Sequence, residues 1–162
     1  MSAEEHASRV DYPKPFDALA VSLCRSATRC VRILSPDLDP AVFNTDDLTN
    51  AVSALARDTR QTEVRILVSD SRMLFRSSHK LLALARRLPS SVALRSLKEH
   101  PDWNGETVVI RNNDGFLYRH DEGRSGGFYE PDSRVATRRH LEFFDALWRL
   151  SAEDPELRSM RL

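Results

Sequence analysis

Two sets of short polar residues stand where a small α/β protein presents groups to a ligand. Ser35 and Asp37 follow the run Val31-Arg32-Ile33-Leu34, and Ser69 and Asp70 follow Val64-Arg65-Ile66-Leu67-Val68. Both runs read as β-strands, and parallel sheets place ligands beyond the carboxyl ends of their strands. There a serine hydroxyl can hydrogen-bond a ligand and an aspartate can act as a base, although both residue types also make turns and cap helices. Next comes Ser77-Ser78-His79-Lys80, read as the first turn of a helix, with Arg72 and Arg76 just before it. Backbone N–H groups at such a start, together with cations, suit a phosphate. His79 falls opposite the stripe Leu81, Leu84, Ala85 and Leu88, so it is expected to be exposed. The candidate ligand or anion site is therefore Ser35, Asp37, Asp70, His79 and Lys80.

The remaining reactive side chains offer less. Cys24 and Cys30 lack CxxC spacing and clustered histidines, so neither a metal nor a redox role is expected, and no cofactor is implied. They read as small helix-packing groups. His140 lies on the apolar face of the last helix, where a histidine is expected to be a core residue with its nitrogens satisfied. No neighbourhood joins a Ser or Cys nucleophile to a His and an acid. Arg124-Ser125-Gly126-Gly127 superficially resembles an acetyl-coenzyme A loop, but Tyr129 occupies its last position and no apolar helix follows.

These residues need a scaffold to hold them. Phe16, Leu19, Ala20, Leu23, Ala27 and Cys30 predict an opening helix from Pro15. Thr45 caps a second helix with Asp46 and Asp47 in its first turn, where the dipole favours anions. The second Val-Arg-Ile-Leu follows the first by 33 positions, the length of a βαβ unit with parallel strands. A helix stopped by Pro89 and a third strand over 92–97 come next. Asn112-Asn113-Asp114-Gly115 between two β-rich runs predicts an antiparallel hairpin. Phe128-Tyr129 adds a short strand, and Asp132 or Ser133 caps a long helix to Leu150. Arg32 and Arg65 each interrupt an apolar strand, so each must meet a sheet edge, an acidic partner or a crevice.

The fold class is thus a three-layer α/β sandwich. Its mixed sheet holds a parallel βαβ repeat and a C-terminal antiparallel hairpin. Residues 1–14 read as a flexible lead-in, 15–151 as one domain and 152–162 as a surface tail. Lys plus Arg equals Asp plus Glu at 24 each, so no global field draws in nucleic acid or an anionic membrane. No apolar run approaches the ~20 residues needed to span a bilayer. The polar N-terminal stretch has no signal-peptide core, and a cytoplasmic location is expected.

The order strand, helix, strand, helix, strand, hairpin, long helix resembles one half of the phospholipase D-like superfamily. The resemblance rests on Val31 to Pro36, on Val64 to Val68 and on the closing Phe144-Asp145-Ala146-Leu147-Trp148, and it covers residues 15 to 151. It implies phosphodiesterase or phosphatidyl-transfer chemistry through His-x-Lys-x4-Asp at the strand beginning near Thr107. Here those positions fall on Asn104, Glu106 and Arg111. Asn is no phosphoryl nucleophile, Glu replaces a phosphate-binding cation, and Arg cannot buffer an imidazole. Asp154-Pro155-Glu156-Leu157-Arg158 is similar to a smaller group of bacterial proteins in which this half-domain sometimes follows an acetyltransferase domain.

The expected function is a non-catalytic binding or regulatory module, taking a protein partner or a small anionic ligand. The resemblance implies a homodimer, with Trp103 or the hairpin near its interface. One alternative is an enzyme for a phosphorylated substrate, built from Asp37, Asp70 and His79, which then must converge on one pocket. Another is nucleic-acid binding through Arg72, Arg76, Lys80, Arg86, Arg87, Arg119 and Arg124. The balanced charge and few exposed aromatics argue against it.

Overall fold

A computed structural model of the chain describes residues 7–120 and 126–158. In chain order it contains β1 (Ser8–Val10), α1 (Phe16–Ser26), β2 (Cys30–Leu34), α2 (Pro40–Phe43) and α3 (Asp46–Asp58). There follow β3 (Glu63–Val68), α4 (Arg72–Arg76), α5 (Lys80–Arg87) and β4 (Val92–Ser96). The chain continues through β5 (Thr107–Arg111), β6 (Gly115–Arg119), β7 (Gly127–Glu130), α6 (Arg134–Leu150) and α7 (Pro155–Arg158). The strands form one mixed sheet in the order β1-β7-β6-β5-β2-β3-β4.

The two Val-Arg-Ile-Leu runs pair in parallel with every residue opposite its copy, Val31 with Val64 and Arg32 with Arg65. Strand alternation then sends Val31, Ile33, Val64 and Ile66 to one face, under α1, α3 and α5. Leu34 and Leu67 go to the other, under α6. This is the expected three-layer sandwich. Both arginines meet the condition set for them: Arg32 lies 3.5 Å from Asp145 on α6, and Arg65 lies 3.3 Å from Glu63. Thr45 caps α3 by accepting from the Leu48 N–H, and Ser133 caps α6 by accepting from the Ala136 N–H.

Several expectations are corrected. The first helix ends at Ser26, and Cys30 opens β2 instead of extending the helical stripe. The cause is Asn112, whose side-chain oxygen accepts the backbone N–H groups of Thr28, Arg29 and Cys30 at 3.2, 2.9 and 3.2 Å. That residue sits in the left-handed region at φ 49° in the hairpin turn, a conformation asparagine tolerates. Within the stretch read as a lead-in, Ser8–Val10 pair with β7 as an edge strand. Within the tail, Ala152 bridges to Ser96 and Leu157 is buried. The Arg86 guanidinium holds this segment by donating to the carbonyls of Leu157 and Glu156, both at 2.9 Å. No described helix is long and apolar enough to cross a membrane.

Candidate functional site

The carboxyl ends of β2 and β3 and the amino end of β5 share one end of the sheet, because β5 runs antiparallel to β2. The loops that carry Ser35, Asp37 and Asp70 lie there, as do Asn104 and Glu106, whereas Arg111 stands at the other end of β5. Ser35 is buried, and its hydroxyl accepts the Leu38 N–H at 3.0 Å, stabilising a turn in which Leu38 takes φ 54°. The loop after β3 is tied to the same turn: the Ser69 and Asp70 N–H groups both donate to the Pro36 carbonyl.

His79 is corrected from exposed to buried, with only 1% of its surface accessible. It is not inside a first turn but is the N-cap of α5: Nδ1 accepts the Leu81 N–H at 3.2 Å. Nε2 lies 3.0 Å from the Leu38 carbonyl, an acceptor, so the ring is held as the Nε2–H tautomer. Burial pushes its pKa down, opposed by the Leu38 hydrogen bond, so the neutral form is favoured. Ser78, at φ 48°, separates the five-residue α4 from α5, so the single helix start expected at Ser77 does not form.

The charged members are engaged as well. Asp70 receives a forked pair of bonds from Arg72, both 3.0 Å, and these bonds hold its carboxyl below the usual range. Lys80 pairs with Asp46 at 3.4 Å, and its N–H donates to Asn44. His79 thus ties the loop after β2 to the start of α5, while the Asp70 carboxylate binds Arg72 within its own loop and only its N–H reaches Pro36. Among the described residues, none of Asp37, Asp70 and His79 lines the cavities of about 820 and about 210 Å³.

At the amino end of β5, Asn104 is exposed and its N–H is capped by the Glu106 carboxylate at 2.8 Å. Trp103 fills the space beside them: its ring is buried in the α6 core, and its Nε1–H donates to the Glu106 carbonyl at 3.0 Å. Arg111 stands at the opposite end of β5, about 16 Å from Glu106 at strand rise. Its guanidinium binds Asp114 at 3.0 Å, the Ser26 hydroxyl at 3.1 Å and the Pro131 carbonyl, fastening the hairpin to α1 and to the start of α6. Gly115 leaves room for this clamp, since a Cβ there would come within 3.0 Å of both the Arg111 guanidinium and the Pro131 carbonyl.

Sequence reasoning missed a second polar group. The Tyr12 hydroxyl donates to Asp39, and the Arg119 guanidinium lies 3.7 Å from the Tyr12 ring centroid. Burial and the Asp39 carboxylate together push the phenol upward. Nothing in the local pattern joins positions 12, 39 and 119. Both thiols are buried, and burial pushes Cys24 up to about 12 and Cys30 up to about 11, which disfavours the thiolate. Of the arginines read as a nucleic-acid surface, Arg72 is paired, Arg86 binds α7, and Arg119 is buried under Tyr12. Arg124 lies outside the described residues.

A family model described as a domain of unknown function, DUF7931, matches residues 12–160. The chain belongs to this family. A search of curated proteins finds no match. Solved structures similar to this DUF7931 chain include TrmBL2, an archaeal chromatin protein with a novel mode of DNA binding, at TM-score 0.67 and 12% identity. That similarity covers 92% of this chain and 54% of TrmBL2, so the chain spans about half of that protein. Another is Nuc, a phospholipase D family member from Salmonella typhimurium, at TM-score 0.65 and 16% identity, covering 91% of this chain and 97% of Nuc. NucT from Helicobacter pylori follows at TM-score 0.63 and 13% identity, with 91% and 98% covered. At these identities the comparisons show the fold: this DUF7931 chain has a phospholipase D-like architecture.

Proposed function

We propose that this DUF7931 domain is a non-catalytic phospholipase D-like module that binds or regulates and does not cleave phosphodiesters. The observation that carries the reading is the Glu106 carboxylate. The phospholipase D-like resemblance assigns it to the position of the superfamily's phosphate-binding lysine, and it caps the Asn104 N–H at 2.8 Å. An anion there repels a phosphodiester. The Asn104 carboxamide, in the histidine position, has neither the basicity nor the nucleophilicity for phosphoryl transfer. Trp103 packs the adjoining space, and Arg111 is committed to the hairpin clamp.

The test is turnover of bis(p-nitrophenyl) phosphate and of phosphatidylcholine vesicles by the purified chain. No rate above buffer is expected. A rate that disappears in Asn104→Ala or Glu106→Gln overturns the reading. The proposal extends to a homodimer, as the phospholipase D-like resemblance implies; light scattering that reports only monomer removes that part. The likeness to TrmBL2, a DNA-binding chromatin protein, favours nucleic acid among the anionic ligands such a module can take.

A further inference from the structure

Outside the sheet-end loops, the charges are unevenly matched. Around α1, α3, α4 and α5 four cations have carboxylate partners: Lys14 with Asp17, Arg25 with Asp47, Arg72 with Asp70 and Lys80 with Asp46. Arg57, Arg76 and Arg87 have no ion pair among the described residues. Helix α6 differs. It carries Arg134, Arg138, Arg139 and Arg149, all exposed, and none has an ion pair among the described residues. Its two acids are Glu142, exposed, and Asp145, which faces Arg32.

The placement is also locally unfavourable. The first turn of α6 holds no acid and begins with Arg134, where the helix dipole disfavours a cation. By contrast, α3 opens with Asp46 and Asp47. A local rule broken without an internal compensation marks a surface shaped by something else.

At about 100° per residue, Arg134, Arg138 and Arg149 fall within about 60° of one another, with Asp145 between them and Glu142 about 20° beyond. This side therefore carries three cations against two acids, and Asp145 turns to Arg32 on β2. The sheet flank on that side adds three arginines, of which Arg32 is paired with Asp145 and Arg65 with Glu63. Arg32 and Arg65 are direct cross-strand neighbours of like charge, and Arg95 follows on β4. Arg95 and Arg65 lie 4.4 and 5.5 Å from the Trp148 ring centroid, which holds both guanidiniums in place.

We propose that this side of α6, with the Arg65–Trp148–Arg95 flank, is a docking face for the sugar-phosphate backbone of nucleic acid. The inference rests on the reading of the domain as a binding module and assigns that module a surface and a ligand class. The face excludes a second copy of itself, because two such surfaces repel. It uses only arginine, whose planar fork matches phosphate oxygens. Its row from Arg134 to Arg149 extends about 22 Å along a straight helix, the length of about six base pairs of duplex. Backbone contacts of this kind give affinity with little sequence preference.

The experiment is fluorescence anisotropy of the full chain with a labelled duplex of arbitrary sequence, read at several salt concentrations. Contact with about four phosphates predicts a loss on the order of 100-fold in affinity between about 50 and about 200 mM salt. Arg138→Glu with Arg149→Glu is expected to weaken binding by about tenfold or more. Arg57→Glu with Arg60→Glu, at the end of α3 on the other side of the sheet, is expected to leave it within about twofold. Arg134→Glu serves as the folding control, since an acid in the first turn leaves Tm unchanged or raised while binding falls. No salt-dependent binding, equal losses in both double variants, or tighter binding to a polyglutamate peptide than to duplex each overturn the inference. Absence of binding leaves the non-catalytic reading standing, whereas phosphodiester turnover defeats that reading and leaves the docking face intact.

Discussion

The two faces of the sheet are built to different standards. Under α1, α3 and α5 the core is large and mainly aliphatic, and the buried polar groups at its margins are satisfied. Ser35 bonds Leu38, the Thr62 hydroxyl donates to the Leu55 carbonyl at 2.7 Å, and both nitrogens of His79 are engaged. Under α6 the core is smaller and rich in aromatic rings. Four buried side-chain atoms lack a hydrogen-bond partner among the described residues: Arg32 Nε, Thr137 Oγ1, His140 Nε2 and Asp145 Oδ1. All four lie on α6 or under it. Arg32 and Asp145 at 3.5 Å attract as charges without aligned hydrogen bonds. One face is a finished hydrophobic core, and the other tolerates polar groups that weaken it. Marginal stability makes such tolerance informative, because each orphan costs about 1–3 kcal/mol.

The largest effect expected from this comparison is at Phe43, fully buried on the finished face. Phe43→Ala is expected to cost about 4 kcal/mol, since a rigid, tightly packed wall collapses little around the cavity. Phe144→Ala, on the α6 face beside Trp148, is expected to cost about 1 kcal/mol less, because one helix over an incompletely covered sheet can settle into the space. Urea unfolding of both variants reads the difference. A larger loss at Phe144 would break the comparison.

Much of the finished face was legible in the sequence. The Val-Arg-Ile-Leu repeat encodes strand periodicity, the 33-residue interval encodes the crossover, and Thr45 with Asp46 and Asp47 announces a helix start. What was not legible depends on distant partners. Ser8–Val10 has too few residues to show a period, and its pairing comes from β7, far along the chain. His79 looked exposed because, in a helix starting at Ser77, it falls opposite the stripe Leu81, Leu84, Ala85 and Leu88. Only the left-handed turn at Ser78 and the reach to Leu38 make histidine the cap and bury it. Arg111 was placed correctly at the end of its strand, but its partners Ser26 and Pro131 belong to other elements. The candidate loop residues do gather at one sheet end, yet their observed roles there are tertiary ties, which spacing alone does not reveal.

Acid sharpens the contrast next. His140 was expected to be a satisfied core histidine. It is buried between Phe116 and Tyr118, but its Nε2 has no partner. Burial first, and then Arg139, pull its pKa down to about 4. The unfolded chain takes up this proton near pH 6.5, before the folded chain does, so stability is full above about 6.5 and falls as pH drops toward 4. The loss reaches about 3 kcal/mol at most. His79, also depressed by burial, acts in the same direction from the other face. His140→Phe is expected to flatten most of the decline in urea midpoint between pH 7 and pH 4.5. An unchanged decline would assign acid sensitivity elsewhere and remove His140 from the weak face.

The smallest effect is the most discriminating. Thr137 is completely buried one turn before His140, and its hydroxyl meets no acceptor or donor among the described residues. Thr137→Val keeps the shape and β-branching, leaves helix propensity nearly unchanged, and replaces the hydroxyl by a methyl group. Relief of desolvation should therefore raise stability by about 1 kcal/mol. A rise in Tm would show that the α6 face carries a genuine unpaired group. A fall would mean that the hydroxyl is bonded to an ordered water, which needs two or more polar partners. In that case the α6 face would keep three unpartnered atoms: Arg32 Nε, His140 Nε2 and Asp145 Oδ1. Those atoms and the exposed arginines of α6 would then remain the difference between the faces.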